Sequence, residues 1–337
     1  MEVNTFRGRD LITLADYTIE EIQYILDLAG ELKAQFLRDE FSDALSHKTL
    51  FMMFFEQSTR TRNSLEAGMT QLGGHAHDLT PDKMQITHGE SPKDTAVVLS
   101  RMGHGISIRN CFYGIGNQYL TTIAEHATIP VISMQDDLYH PLQGLADIMA
   151  IQEHCGVNLR GLKVAVTWAY ATTHAKPLSV PQTQALLFPR FGIDVVVANP
   201  KEFPLQPEML KRAEGAAKEG GGSVSVVDSM DEALDGADVV IPKNWGGFAH
   251  FDPFVDDQQH MAEMKANLDK HKDWICTSER FARAKPDARI MHALPADRGN
   301  EITDELLDSE HSIIYDEAEN RLHTSKSVLQ LLMGGAK

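Results

Sequence analysis

The sequence predicts an α/β protein built from two doubly wound parallel-sheet domains with a cleft between them. Short β-branched runs alternate with amphipathic stretches, which is the pattern of βα units around a parallel sheet. The 337 residues also exceed the size of about 250 residues at which a single hydrophobic core stops growing. We therefore expect a first domain at residues 1–150, a second at residues 151–316, and a C-terminal helix within residues 317–337 that returns to the first domain.

Apolar runs and amphipathic stretches define the predicted elements of the first half. Strands are expected at residues 49–55, 105–109 and 130–134, and helices at residues 18–37, 62–72, 91–102 and 118–127. A further helix begins at Pro141, since proline suits the first helical position, and Leu145, Ile148 and Met149 then recur at helical spacing. It ends near His154, and we expect it to bridge the two domains.

The second half restarts with a new series of strands. They are expected at residues 161–167, 194–198, 223–227, 237–241 and 288–292. Three consecutive glycines at residues 220–222 are typical of a turn before a strand. A strand-like run at residues 312–315 precedes the last predicted helix, in which Leu322, Val328, Leu329 and Leu332 lie at a mostly helical spacing.

Charge and composition argue against several classes of function. The chain has 31 basic and 48 acidic residues, and its formal net charge of −17 repels nucleic acid and anionic membranes on average. Its longest apolar runs are far shorter than the roughly 20 residues of a membrane span. Residues 1–10 are too polar for a signal peptide. We expect a cytoplasmic protein that binds small molecules, and neither nucleic acid nor a membrane.

The cysteine, histidine and glycine spacings do not indicate a metal or a cofactor. Cys111, Cys155 and Cys276 are widely separated and odd in number, which fits a reducing compartment. The 15 histidines form no His-Glu-x-x-His pattern. The Gly114-x-Gly116-x-x-Tyr119 pattern lacks the third glycine of a dinucleotide-binding motif, so a turn is the better interpretation. No cofactor and no metal are therefore expected.

The most informative segment is residues 54–62, Phe-Phe-Glu-Gln-Ser-Thr-Arg-Thr-Arg, which follows an apolar strand and opens an amphipathic helix. The amino end of a helix favours negative charge. Donors for phosphate oxygens are added by the hydroxyls of Ser58, Thr59 and Thr61 and by the guanidinium of Arg60. The segment favours an anion site, and the alternative is a well-capped helix with solvated arginines.

Two further motifs contain groups that could bind a small amide. In His140-Pro141-Leu142-Gln143 the imidazole can donate to a carbonyl oxygen, and the glutamine oxygen can accept from an NH₂ group. His292-Ala293-Leu294-Pro295 ends a predicted strand, where ligands of open α/β sheets bind. Taken alone, the first is more often a helix cap and the second a plain turn.

Together with Arg109 and the late Glu319-Asn320-Arg321-Leu322-His323 segment, these three motifs resemble the aspartate and ornithine transcarbamylase family. The resemblance spans nearly the whole chain, and the motifs occur in the family's order. It implies an enzyme that transfers the carbamoyl group of carbamoyl phosphate to the nitrogen of a small amino-acid-like or amide acceptor. The reverse phosphorolysis of a ureido compound and an inactive anion-binding relative are the alternatives, and a nicotinamide enzyme is a remote one.

The resemblance also implies a role for each matching residue. The Ser-Thr-Arg-Thr loop would hold the phosphate, Arg109 would span the phosphate and the carbonyl oxygen, and His140 with Gln143 would grip the carbamoyl group. The Leu294 carbonyl would accept from the carbamoyl NH₂ group, and Arg321 matches the family's late arginine. The assigned catalytic residues are Arg60, Thr61, Arg109, His140 and Gln143, and the assigned substrate-binding residues are Ser58, Thr59, Leu294, Arg321, Lys243, Trp245 and Asp297.

The features that would select the second substrate fit ornithine poorly. Ornithine enzymes carry a cysteine where this chain has Ala293, and an Asp-x-x-x-Ser-Met-Gly loop where residues 243–247 read Lys-Asn-Trp-Gly-Gly. Residues 168–181 and the Lys-x-Trp-Gly loop resemble the knotted branch that includes acetylornithine transcarbamylase and the YgeW-type carbamoyltransferases. Asp297 and Glu301 replace basic residues of acetylornithine enzymes, so acetylornithine also fits poorly. Either acidic residue could receive an acceptor N–H group.

The resemblance further implies a homotrimer and a knot in the second domain. In such a trimer the loop at residues 82–88, which contains Lys83 and Gln85, would reach a neighbouring active site. The expected partners are therefore carbamoyl phosphate, a small-molecule acceptor and two further copies of the chain.

Overall fold

The structure is a computed structural model that describes residues 5–172, 176–246 and 257–334. The chain divides into two compact units, and each is built around its own parallel sheet. Unit 1 comprises Met1–Ala146 and Glu319–Lys337, and unit 2 comprises Asp147–Ala318. In these described ranges, no helix is long and apolar enough to cross a membrane.

The sheet of unit 1 has four parallel strands in the order β2-β1-β3-β4. The strands are β1 (Thr49–Phe54), β2 (His75–Leu79), β3 (Gly105–Asn110) and β4 (Val131–Asp136). The helices of this part are α1 (Ile19–Leu37), α2 (Arg60–Gln71), α3 (Pro92–Ser100), α4 (Gly116–His126) and α5 (Pro141–Cys155). The chain turns from β2 back across β1 to β3, so the strand order reverses between β1 and β3.

Two local features set where helices of this unit begin. Thr18 and Glu21 form a reciprocal capping box that starts α1. Gly116 begins α4 so close to the end of β3 that a Cβ would lie 1.9 Å from the Asn110 carbonyl oxygen. Close approach of two backbones therefore explains Gly116, and Gly114 has a φ of +72°, in agreement with the turn interpretation.

The last helix, α12 (Ile314–Met333), continues from unit 2 into unit 1, as α5 runs from unit 1 into unit 2. Within unit 1 it packs on α1, where the Ser327 hydroxyl donates to the Ile25 carbonyl at 2.7 Å. The Lys33 ammonium donates to the Asn320 side chain at 2.8 Å. These contacts anchor the C-terminal part of the chain to the first sheet domain.

The sheet of unit 2 has five parallel strands in the order β7-β6-β5-β8-β9. The strands are β5 (Lys163–Trp168), β6 (Asp194–Ala198), β7 (Ser223–Val227), β8 (Val239–Lys243) and β9 (Arg289–Ile290). The helices are α6 (Ser179–Leu187), α7 (Pro207–Gly220), α8 (Met230–Leu234), α9 (Asp257–Leu268), α10 (Ser278–Phe281) and α11 (Asp304–Leu307). Here the strand order reverses between β5 and β8.

Most predicted elements are confirmed, with three differences. The sequence did not predict β2, an edge strand of mostly polar residues. The predicted strand at 288–292 forms ladder pairs only at Arg289 and Ile290. The strand-like run at 312–315 is wrong, because α12 begins at Ile314 and Ser312 makes only an isolated bridge to Ile290.

Candidate active site

Three candidate segments of the first domain lie at or just after the ends of neighbouring strands in one sheet. The segment at residues 55–61 follows β1, Arg109 lies near the end of β3, and His140 follows β4. Phe54 pairs with Arg109 in the parallel register, and the Phe55 amide donates to the Arg109 carbonyl at 3.0 Å. All three segments therefore lie at the carboxyl edge of the sheet, beside the point where its strand order reverses, which is where open α/β sheets bind ligands.

Arg321 joins two of these segments. Its Nη1 donates to the Gln143 Oε1 at 2.7 Å, and its Nη2 donates to the Thr61 Oγ1 at 2.9 Å. All three side chains are buried. The sequence placed these residues in distant segments, and the structure brings them together within unit 1.

The phosphate-loop residues lie at the start of α2, which begins at Arg60 rather than at the predicted residue 62. Thr59 is the N-cap residue, but its side chain makes no capping hydrogen bond. Its carbonyl instead accepts from the Asn63 side chain at 2.7 Å. Ser58 and Arg60 are half-buried and Thr59 is exposed. The alternative interpretation was a well-capped helix. The Thr59 hydroxyl makes no such cap, which argues against that alternative.

Arg62 differs from Arg60 in its surroundings. Its guanidinium lies 4.0 Å from the centre of the Phe54 ring and forms an ion pair with Asp78 of β2. These contacts hold α2 against the sheet. Arg62 therefore has a structural partner on each side, which is one reason to separate it from the phosphate-loop residues.

Arg109 lies beside Glu56, a residue that the sequence analysis did not single out. The Arg109 Nε is 3.9 Å from the Glu56 Oε2, and the other oxygen of Glu56 accepts from the Cys111 amide at 2.8 Å. Burial raises the pKa of Glu56, although the Cys111 amide and the Arg109 charge oppose this rise. Its position two residues before the Ser-Thr-Arg-Thr run is the sequence signal that could have identified Glu56 as a site residue.

His140 is positioned by a loop that Asp136 organises. Asp136 is fully buried at the end of β4, and its Oδ1 accepts from the amides of Leu138 at 2.8 Å and Tyr139 at 2.6 Å. Its Oδ2 accepts from Ser133 and Asn117. Burial raises the pKa of Asp136 to about 7, against these hydrogen bonds. His140 and Gln143 are buried at the start of α5, which begins at Pro141 as predicted.

In unit 2, Lys243 is the last residue of β8 and pairs with Trp168 across the sheet. It is buried, and its Nζ lies 3.3 Å from the Asn244 carbonyl oxygen. Trp245 is also fully buried, and its indole N–H donates to the Phe203 carbonyl at 2.8 Å. These contacts give the Trp245 side chain a packing role, in contrast to the predicted contact with substrate. Gly247 lies outside the described residues.

Asp297 and Glu301 differ in what they offer a ligand. Asp297 is half-buried, and its Oδ2 accepts from the Thr172 amide at 2.9 Å and the Thr172 hydroxyl at 3.1 Å. Glu301 has no exposed surface, and both its oxygens accept hydrogen bonds from within unit 2. The expectation that Glu301 could receive a substrate N–H group is therefore wrong for this structure.

Lys176 and Asn244 complete the cluster around Glu301, and sequence reasoning missed both. The Lys176 ammonium forms an ion pair with Glu301, and the Asn244 amide donates to the same carboxylate at 2.6 Å. The sequence around Lys176 carries no local signal of a buried pair. In the described ranges, no group of three or more His, Cys, Asp or Glu residues could hold a metal ion.

Two family models match the chain, one for each sheet. The model described as "Aspartate/ornithine carbamoyltransferase, carbamoyl-P binding domain" matches residues 9–153. The model described as "Aspartate/ornithine carbamoyltransferase, Asp/Orn binding domain" matches residues 169–332. The chain therefore belongs to the aspartate/ornithine carbamoyltransferase family.

Individual relatives agree with this assignment over nearly the whole chain. An ornithine carbamoyltransferase of Halalkalibacterium halodurans is 38% identical over 99% of this chain and 98% of the relative. The Escherichia coli K12 relative named "Putative carbamoyltransferase YgeW" is 33% identical over 92% of this chain and 86% of the relative. A crystal structure of acetylornithine transcarbamylase with acetylcitrulline is 30% identical, with a TM-score of 0.87 over 97% of this chain and 100% of that chain.

The chain is a carbamoyltransferase. It transfers a carbamoyl group from carbamoyl phosphate to an amino-acid acceptor, as the resemblance of its motifs predicted.

Proposed function

We propose that the carboxyl edge of the unit 1 sheet binds carbamoyl phosphate. The observation that carries the proposal is the Arg321 bridge, which joins Thr61 of the phosphate loop to Gln143 of the helix after β4. Ser58, Thr59 and Arg60 hold the phosphate, and Arg109 contacts both the phosphate and the carbonyl oxygen. His140 and Gln143 grip the carbamoyl group, and the Leu294 carbonyl accepts from its NH₂ group.

The proposed mechanism needs no covalent enzyme intermediate, because carbamoyl phosphate is already an activated acyl donor. An uncharged acceptor nitrogen attacks the carbonyl carbon, and Thr61, Arg109 and His140 stabilise the negative charge that develops on the oxygen. The C–O bond to phosphate then breaks, and the departing phosphate takes the proton of the new amide. Loss of one such donor costs roughly 2.7 to 4 kcal/mol of activation free energy.

We propose further that the acceptor is an amino acid other than ornithine. Ala293 replaces the cysteine of ornithine enzymes, and a buried lysine, Lys243, stands in the loop that replaces Ser-Met-Gly. Lys243 pairs with a carboxylate of the acceptor or polarises its carbonyl group. Asp297 receives an acceptor N–H group, since a carboxylate can accept about four hydrogen bonds. A site with such groups rejects ligands that leave them unpaired.

Ornithine is the second candidate acceptor, because it is named in the relative from Halalkalibacterium halodurans, which matches nearly the full length of this chain. The Lys243 Nζ also lies 3.3 Å from the Asn244 carbonyl, so a loop-capping role for Lys243 is the alternative to a substrate contact. If ornithine is the acceptor, Lys243 has this structural role.

A screen of ornithine, acetylornithine, other amino acids and small amides with carbamoyl phosphate separates the two candidates. We expect phosphate release with an amino acid other than ornithine, and a rise in the KM for that acceptor in Lys243→Ala. Lys211→Ala is the control, because Lys211 is exposed on α7. Efficient citrulline formation from ornithine, unaffected by Lys243→Ala, would refute the proposed acceptor class.

The same site would serve the reverse reaction, in which phosphate attacks a ureido compound. The residues that stabilise the tetrahedral intermediate are the same in both directions, so the direction follows from the concentrations of all reactants and products relative to the equilibrium constant. Phosphate-dependent formation of carbamoyl phosphate from the carbamoylated acceptor measures this second direction.

We also propose that the chain belongs to the knotted branch of the family. The Lys176 amide donates to the Asn244 side chain at 3.2 Å, and the Gly246 amide donates to the Lys176 carbonyl at 2.9 Å. The Trp168 indole donates to the Trp245 carbonyl at 2.8 Å. The two segments that would form the knot therefore contact each other closely. Residues 173–175 and 247–256 lie outside the described residues. A crystal structure of the whole chain would test whether one segment passes through the loop of the other to form a knot.

We propose a homotrimer in which the loop at residues 82–88 serves a neighbouring subunit. In the structure this loop forms two short 3₁₀ turns, Pro81–Lys83 and Gln85–His88, and most of its residues are exposed. Met84 and Ile86 nevertheless pack on the hydrophobic core of the first sheet. The loop is therefore anchored by its apolar side chains, which leaves Lys83 and Gln85 directed away from the core.

A further inference from the structure

Three side chains, Glu301, His292 and Lys176, and the backbone amide of Asn244 meet near the end of β9 in unit 2, next to the proposed substrate contact at Leu294. Glu301 lies at the centre of this group, and His292, Lys176 and Asn244 contact its carboxylate. Glu301 and His292 have side chains with no exposed surface. A fully buried carboxylate needs a countercharge and donors for each oxygen, and both are present here.

The hydrogen bonds of His292 define which ring nitrogen carries the proton. The Leu294 amide donates to the His292 Nδ1 at 2.8 Å, so this nitrogen must present a lone pair. The His292 Nε2 faces the Glu301 Oε2 at 3.2 Å and therefore carries the hydrogen. Only the neutral ring protonated at Nε2 satisfies both contacts.

The charges around His292 agree with a neutral ring. Burial lowers the pKa of His292, Glu301 opposes this, and Lys176 and Lys243 lower it further. Burial alone would raise the pKa of Glu301, but the neighbouring His292, Lys176 and Lys243 lower it well below its usual range. Glu301 thus stays anionic, with Lys176 as its fixed countercharge.

The Leu294 backbone requires such support. Its φ is +49°, in the left-handed region that a branched residue seldom adopts. The His292 ring holds the Leu294 amide, and the Lys176 ammonium donates to the carbonyl of the next residue, Pro295, at 2.7 Å. The Glu317 carboxylate accepts from the His292 amide at 2.8 Å and fixes the preceding peptide.

We propose that Glu301 is a positioning residue that selects the tautomer of His292 and through it fixes the Leu294 peptide for substrate binding. The proposal rests on the proposed function, in which the Leu294 carbonyl binds the carbamoyl NH₂ group. Glu301 acts through His292 and contacts no substrate. Lys176 completes the arrangement, because it balances the Glu301 charge and holds the Pro295 carbonyl.

The test is Glu301→Gln, which keeps the shape of the side chain but replaces one acceptor oxygen with a donor. The new NH₂ group must face a group that is itself a donor. If it faces His292, the ring shifts its proton to Nδ1, and the hydrogen bond from the Leu294 amide to Nδ1 is lost. We expect kcat/KM for carbamoyl phosphate to fall about tenfold or more, since small misplacements of binding groups have large effects. Glu305→Gln is the control, because Glu305 is exposed on α11.

A second pair of variants covers the case in which Glu301→Gln does not fold. His292→Asn places its Oδ1 where it can accept from the Leu294 amide, whereas His292→Ala removes this acceptor. We expect the asparagine variant to retain a clearly larger kcat/KM than the alanine variant at equal thermal stability. Equal loss in both variants, or Glu301→Gln with reduced thermal stability and unchanged kcat/KM, would overturn the inference.

Failure of the inference is distinguishable from failure of the proposed function. If the wild-type protein releases no phosphate with any acceptor in the panel, the proposed function fails and the inference fails with it. If the wild-type protein is active but the two His292 variants lose activity equally, or Glu301→Gln lowers only thermal stability, then only the inference fails.

Discussion

Arg60 and Arg62 are two residues apart on α2, and their different surroundings predict different roles. Arg62 stacks on Phe54 and pairs with Asp78, so its charge is used within the fold. Arg60 begins the helix at the carboxyl edge of the sheet, next to Thr61. An arginine at a helix amino end suits a phosphate, because guanidinium and helix dipole act on the same charge.

We expect Arg60→Ala to weaken carbamoyl phosphate binding by about a hundredfold or more while the melting temperature stays nearly unchanged. Two hydrogen bonds to a charged group contribute about 1.5 kcal/mol each or more, and each 1.4 kcal/mol is tenfold in affinity. Isothermal titration calorimetry measures the affinity. Arg62→Ala is the matched control and should lower the melting temperature while retaining binding. Unchanged affinity in Arg60→Ala would refute the assignment of the phosphate loop.

His140 gives a prediction about turnover rather than binding. We expect His140→Ala to lower kcat by roughly a hundredfold to a thousandfold, since the ring stabilises charge that exists mainly in the transition state. Steady-state kinetics with saturating carbamoyl phosphate measures kcat separately from KM. A variant that raises only KM would show that His140 binds the ground state and contributes nothing specific to the transition state.

At the scale of elements, the loop between β4 and α5 depends on the buried carboxyl of Asp136. Burial raises its pKa to about 7, whereas an unfolded aspartate ionises near its ordinary value of about 3.9. The unfolded state therefore releases its proton first as the pH rises. The stability associated with this group is present at low pH and is lost between about pH 4 and pH 7.

We expect the melting temperature of Asp136→Asn, relative to that of the wild-type protein, to rise between pH 5 and pH 8. Asparagine retains the oxygen that accepts from Leu138 and Tyr139, and it has no charge to lose. Thermal unfolding at both pH values measures this difference. Asp27→Asn on the exposed face of α1 is the control and should show no such change. A constant difference between the variant and the wild type would contradict the raised pKa.

The sequence predicted the elements whose signal is local. The strands β6 and β7 lie at residues 194–198 and 223–227 as expected, because β-branched runs bounded by turns define them. The edge strand β2 was missed because its residues are mostly polar and its partner, β1, supplies the apolar pairs. The run at residues 312–315 was misassigned because a β-branched run can also begin a helix, and α12 begins within it at Ile314.

The site divides in the same way between local and long-range information. The sequence motifs identified Thr61, Gln143 and Arg321. The hydrogen bonds that join them could not be predicted, because Arg321 is 178 positions from Gln143 and 260 positions from Thr61 in the chain. Lys176 and Glu301 pair across 125 positions, and neither had a local signal for burial. Resemblance also suggested a substrate contact for Trp245, whose indole is buried against Phe203.

At the scale of the whole molecule, the proposed trimer gives a prediction about mass and activity. We expect sedimentation equilibrium at micromolar concentration to show three chains per particle. Truncation of the exposed Lys83 and Gln85 side chains to alanine should lower activity without changing this mass. A fully active monomer would contradict the proposal that a neighbouring subunit completes the site.

Carbamoyl transfer from carbamoyl phosphate to the nitrogen of an amino acid can be followed directly in the product. The most direct measurement is mass spectrometry of the product formed from ¹³C-labelled carbamoyl phosphate and a pool of amino acids, with phosphate release followed in the same reaction. We expect one labelled, carbamoylated amino acid in an amount equal to the released phosphate, and loss of both in Arg60→Ala. Phosphate release without a labelled product, or no release with any acceptor, would contradict carbamoyl transfer to an amino acid.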